Sequence, residues 1–150
     1  MSRSRVAILL ALAISVLPSA GAPAADGTYP PAMVEKINKA RTKRGLPPLR
    51  HHPGLSRSAR RYARHLLRTG TFGHANRIRA GGRFRRLGEL LSWHRGRRPR
   101  PGRTVVGWLR SPWHRPVLLA PEFRLAGAGR VYGRLRGRRR TIWVVQLGTR

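Results

Sequence analysis

The 150-residue chain carries 33 lysines and arginines against four acidic residues, a formal charge of +29, and it has no cysteine. The lack of cysteine excludes a disulfide framework and a cysteine nucleophile, so packing alone must hold the domain together. The charge predicts attraction to anions at low salt. The arginines run through nearly the whole chain rather than forming one block. That spread is the pattern of solvated faces in an arginine-biased composition, and nucleic acid is not expected as the specific partner.

The N-terminus opens with Arg3 and Arg5, an apolar run over residues 6–17, and a small-residue stretch ending Ala22-Pro23-Ala24. This is the layout of a secretory signal peptide, cut after Ala24. The run is shorter than the ~20 residues a membrane span needs. Residues 1–24 are therefore expected to be a signal peptide and 25–31 a flexible leader. Residues 32–150 form one domain of a secreted or periplasmic protein.

A first helix is expected from Pro30-Pro31 to Gly45, with Met33, Ile37 and Ala40 on one face and Glu35 in its first turn. "LPPLRHHPG" follows as a connector, with His51 and His52 in solvent. "LSRSARRYARHLLRTG" places Leu55, Ala59, Tyr62, Ala63, Leu66 and Leu67 on one helical stripe, and Gly70 stops it. His65 falls on its polar side. Residues 71–86 read as an ordered loop with a helical turn near Ile78. "LGELLSWH" (87–94) reads as a strand, and residues 95–103 as a basic Pro/Gly-rich loop. "TVVGWLRS" is a short helix, and Pro112 or Pro116 opens another turn. Residues 123–135 and 141–149 are strands of an antiparallel hairpin turned by residues 137–140. Glycines in the first of the two suggest close backbone approach. The order predicts an α+β domain with helices covering a small antiparallel sheet.

With so few carboxylates, each can be weighed. Asp26 lies in the leader, Glu35 fits a helix start, and Glu122 is expected to be exposed. Glu89 sits in the most apolar short segment of the middle of the chain, where a carboxylate needs a partner. Its partner is either a histidine or a nearby guanidinium such as Arg86. His74 and His114 stand in compact contexts, "TFGHANR" and "SPWHRPVLL". Their spacing from Glu89 is unlike a local H-E-x-x-H, so spacing alone does not define a metal motif. Trp93, Trp108, Trp113 and Trp143 read as core or cleft walls rather than a stacking platform for bases. Ser92 and Ser111 lack a G-x-S-x-G setting.

The segments "INKARTKRGLPPLRHHPGLSRSARRYARHL", "FGH", "LGELL", "VVGWLRSPWHRPVLLAPEFRLAGAG" and "TIWVVQLGT" stand in an order that resembles the CAP superfamily. This is the SCP-like domain of cysteine-rich secretory, antigen 5 and pathogenesis-related proteins, here in a cysteine-free bacterial form. The most specific piece is W-x-x-S-x-x-H-R at 108–115. The resemblance implies an α-β-α sandwich whose cleft carries His74, Glu89 and His114. It implies a divalent metal, often zinc, bound by the cleft histidines in some members, and lipid or another small ligand in others. The family often has Asn after the glutamate; here Leu90 follows, which removes an amide from beside the carboxylate. The expected function is an exported binding protein whose His/Glu cleft takes a metal, lipid or small ligand without turnover. The alternatives are a metal-assisted hydrolase and a basic module for an anionic envelope polymer, membrane surface or nucleic acid.

Overall fold

The computed structural model describes residues 31–150; the expected signal peptide and residues 25–30 of the leader lie outside them. The element order is α1 (Pro31–Thr42), β1 (Arg50–His51), α2 (Pro53–Thr69), β2 (Arg86–Arg95), α3 (Pro101–Arg110), α4 (His114–Leu119), β3 (Leu125–Leu135) and β4 (Arg138–Thr149). The four strands make one sheet in the order β1-β3-β4-β2. β4 runs antiparallel to both β2 and β3, as expected. The sheet is nonetheless mixed, because β1 pairs parallel to β3 within what read as a bare connector.

Strand alternation divides the core in two. Leu90, Trp143, Val145 and Leu147 face one way and pack on Met33 and Ile37 of α1, Trp108 of α3 and Leu118 of α4. Leu91, Ile142 and Val144, one residue out of step, face the other way and meet Ala59, Ala63 and Leu66 of α2. Side chains alternate across a pleated strand, so these two sets must serve opposite faces. The outcome is a three-layer α-β-α sandwich, with α2 alone on one side and α1, α3 and α4 on the other.

Several local expectations are corrected. α1 begins at Pro31, which puts Glu35 beyond the first turn. No helical turn forms near Ile78. The basic loop is shorter than read, because α3 opens at Pro101, where a missing N–H costs nothing. Neither Pro112 nor Pro116 opens α4, which starts at His114. The hairpin turns at Arg136 and Gly137, whose φ angles of 50° and 76° are both left-handed. That two-residue geometry matches the twist of the flanking strands. Arg138, Arg139 and Arg140 consequently lie within β4.

Two side chains of α1 lock the layers. Asn38 imitates a strand by donating Nδ2 to Leu49 O and accepting from Leu49 N. Arg41 is fully buried and donates to the carbonyls of Pro47, Leu118, Ala120 and Phe123. Its charge thus rests on backbone dipoles, including those at the C-terminal end of α4. Asn38 and Arg41, three residues apart, thus staple α1 to the entries of β1 and β3.

His52 caps α2, with its Nδ1 accepting from Leu55 N at 3.3 Å. Only the neutral ring can accept there. Burial, then the charges of Arg150 and Arg57, hold its pKa below the usual histidine value. A depressed pKa contributes stability that is complete above the unfolded value of about 6.5 and is lost as pH falls through the folded value. Denaturant titrations across this range are expected to show that loss. His52→Asn, which keeps a capping oxygen, should remove this increment of pH dependence, while His52→Ala should cost about 1 kcal/mol at neutral pH. An unchanged acid limb in His52→Asn would assign the effect to another group.

Candidate functional site

β2 is an edge strand, and residues from both helical layers reach it. Trp108 of α3 reaches it from one layer and donates its indole N–H to Leu91 O at 2.9 Å. That bond ties α3 to the backbone of β2 and gives the buried indole N–H its partner. The segment after α2 reaches β2 from the other layer. Tyr62 anchors this segment through its hydroxyl, which donates to Gly73 O at 2.7 Å. The next residue is His74.

Glu89 faces α2 from the middle of β2 and is 8% exposed. Its Oε1 accepts from His74 Nδ1 at 3.1 Å and from Ala75 N at 3.0 Å. Its Oε2 accepts from Gln146 Nε2 at 3.0 Å. Gln146 is the direct cross-strand neighbour of Glu89 in β4. The amide that Leu90 cannot offer therefore comes from the adjacent strand. Leu90 itself points to the opposite face and is fully buried in the core there. The alternative pairing with Arg86 is not formed. Arg86 instead binds Glu122 at 2.7 Å, so Glu122 is a partly covered ion-pair partner rather than a free surface acid.

His114 approaches from the other layer, at the start of α4. Its Nδ1 lies 2.8 Å from Ser111 Oγ, which also accepts from His114 N at 3.4 Å. The His74 and His114 rings have centroids 6.4 Å apart and are tilted by 46°. Burial, then the neighbouring His74, push the His114 pKa below its usual value. The ring is thereby kept neutral, and able to act as a Lewis base, further into the acid range. Burial also raises the Tyr62 pKa, with the Glu89 charge adding to it.

The structure brings all three site residues expected from sequence to one corner. His74 and Glu89 are directly bonded, and His114 faces His74 rather than the carboxylate. His74 borders a hollow of about 640 Å³ together with Tyr62, His65 and Gln146. His114 borders a second of about 360 Å³ with Trp93, Trp108 and Ser111. Among the described residues, no three His, Asp or Glu side chains are arranged around one point as a metal cage. Both Glu89 oxygens are occupied, which leaves each imidazole's Nε2 as the outward donor. Sequence reasoning missed Gln146. Its signal was its place in β4, but the strand register that sets it beside Glu89 is not written in either segment alone.

One of the four tryptophans departs from expectation. Trp108 and Trp143 are core residues and Trp93, 44% exposed, lines the hollow that His114 borders, whereas Trp113 is 84% exposed.

The fold is a small three-layer α-β-α sandwich with a histidine–carboxylate corner at its edge strand. The family described as CAP, the cysteine-rich secretory protein family, matches residues 34–147, and the chain belongs to it. Solved structures agree on the fold. An outer surface protein of Borrelia burgdorferi superposes with a TM-score of 0.66 at 23% identity, over 80% of this chain and 91% of that one. An extracellular SCP-domain protein of Bacillus anthracis gives 0.64 at 19% identity, over 83% of this chain and 41% of that one. The venom allergen-like protein 4 of Schistosoma mansoni gives 0.59 at 14% identity, over 83% and 88%. No curated protein matches the sequence.

Proposed function

We propose that this is an exported CAP-domain protein that binds a divalent cation, zinc foremost, between His74 and His114 and acts without turnover. The observation that carries the reading is the facing pair of imidazoles, 6.4 Å apart, one of them held by a buried carboxylate. A carboxylate on one ring nitrogen fixes the tautomer and leaves the other nitrogen as the ligand atom, the usual arrangement behind a metal-bound histidine. Glu89 supplies that support, and His74 Nε2 and His114 Nε2 supply the ligands. Two protein ligands leave positions open for water or an incoming ligand atom. A bound cation would act there as a Lewis acid. The extracellular or outer-surface descriptions of two bacterial relatives support export, as does the N-terminal pattern.

The reading without turnover rests on Glu89, whose two oxygens are both held by protein donors, so that the corner's one carboxylate is not free to act as a general base on a cation-bound water. Ser111 lies three residues before His114 and serves the turn into α4, accepting from the backbone N–H of the same residue whose ring it touches. Calorimetric titration with zinc is expected to show one site in the wild type. His74→Ala combined with His114→Ala should weaken it by about 100-fold or more, since each removes a whole ligand. Equal affinity in the double variant would refute the site.

A further inference from the structure

Among the described residues, folding leaves one large apolar side chain almost wholly in water. Trp113, in the turn between α3 and α4, is 84% exposed, and among the described residues its indole N–H has no partner. Beside it in the chain, the outer face of α3 presents Arg103, Val106 and Arg110, with Val106 45% exposed. The spacing of these three, i, i+3 and i+7, puts them on one helical stripe while Thr104, Val105 and Trp108 turn inward. Arg115 follows Trp113 on α4 and is exposed as well. No acidic residue occurs between Glu89 and Glu122, and these two are occupied, Glu89 by its three donors and Glu122 by Arg86.

A spare indole with arginines to either side and no carboxylate is the composition of a membrane-interface anchor. Indole rings settle at the headgroup level, where the apolar body is dry and the N–H stays hydrated. Guanidinium groups around it add attraction to acidic headgroups. A nucleic-acid duplex keeps its bases stacked inside and would be met by the arginines alone, with no use for an exposed indole beside a valine. We infer that the α3–α4 corner docks peripherally on an anionic lipid surface, with Trp113 inserted at the headgroup level and Arg103, Arg110 and Arg115 on phosphates. No helix of the described residues is long and apolar enough to cross a membrane, so the contact is one of surface seating. The inference is independent of cation binding at His74 and His114.

The test is co-sedimentation with phosphatidylcholine vesicles, with and without phosphatidylglycerol, using the mature chain in the absence of added metal. Binding is expected only with the anionic lipid and should weaken as salt rises. Trp113→Ala should lower vesicle affinity about tenfold while leaving binding to double-stranded DNA unchanged, since burying an indole offsets at least that much. Arg103→Ala with Arg110→Ala should lower vesicle affinity by about tenfold or more. A quencher placed in the lipid acyl region should dim the wild type and not Trp113→Ala, which retains the other three tryptophans. Thermal melting should be the same in Trp113→Ala, because the side chain packs on so little. Wild-type vesicle affinity in Trp113→Ala, or quenching that persists without Trp113, would overturn the inference. Equal losses on vesicles and DNA would overturn it too, in favour of a general polyanion patch.

Discussion

Gly129→Ala is expected to destabilise the fold severely, at a cost of about 4 kcal/mol or more. Gly127→Ala should behave alike. A methyl group at residue 129 would meet Arg60 N and Cα, with Ala59 C at 2.6 Å; at residue 127 it would meet Ser56 N and Leu55 C, with Leu55 Cβ at 2.6 Å. The colliding atoms are chiefly the α2 backbone, so no rotamer change relieves them. The helix must lift off β3, which opens the layer formed by Ala59, Ala63, Leu66, Leu91, Ile142 and Val144. Overpacking in cores ordinarily costs about 1–3 kcal/mol, and a clash with rigid backbone belongs above that range. A domain with about 5–15 kcal/mol in total cannot absorb two such changes. Gly107→Ala is the control. It lies on the exposed face of α3 with nothing within 4 Å of the added carbon, and should stabilise by about 0.5–1 kcal/mol. Urea melts of the three variants decide the matter. Wild-type stability in Gly129→Ala would mean that α2 has slack against the sheet.

Those two glycines also mark how far the fold is legible in the sequence. Glycine at alternate positions of an otherwise apolar strand signals close backbone approach, and α2 is the backbone that approaches. The stripe from Leu55 to Leu67 and the stop at Gly70, with φ of 67°, are equally readable. Periodicity reports which side of an element is buried, and these elements bury one side each. It does not report pairing. β1 is two residues long and has no period to read, so its parallel pairing with β3 emerges only when Asn38 holds Leu49 in place. The site divides in the same way. His74, Glu89 and His114 are expected together through family resemblance, and the fold does bring them to one corner. Their roles come from register and loop path: β4 slides Gln146 opposite Glu89, and Tyr62 holds Gly73 so that Oε1 of Glu89 reaches both His74 and Ala75 N. The exposure of Trp113 is unreadable because an aromatic residue in a compact apolar context defaults to the core.

Glu89→Ala is expected to cost about 3 kcal/mol, more than any surface charge in this chain. Three donors converge on the carboxylate, and the one from Gln146 is itself almost wholly buried, with Gln146 1% exposed. Removing an acceptor leaves buried donors without water, at about 1–3 kcal/mol for such a group. The remaining loss comes from His74 and Ala75, whose segment would no longer be tied to β2. Glu89→Gln separates charge from shape. An amide has one acceptor and one donor end, so it can accept from His74 and Ala75 and donate to Gln146 only if the Gln146 amide turns over to present its Oε1. A cost of about 1–2 kcal/mol follows from that rearrangement and the lost charge. The carboxylate also sets the His74 tautomer through Nδ1, which the amide does less strongly. Zinc affinity in Glu89→Gln should therefore drop about 10–100-fold while both imidazoles remain in place. Stability and metal affinity are read on the same variant by urea melting and calorimetry. Loss of affinity at little cost in stability identifies Glu89 as the group that orients His74. Loss of stability with wild-type zinc affinity makes it a structural carboxylate, and places whatever the histidines do outside its control.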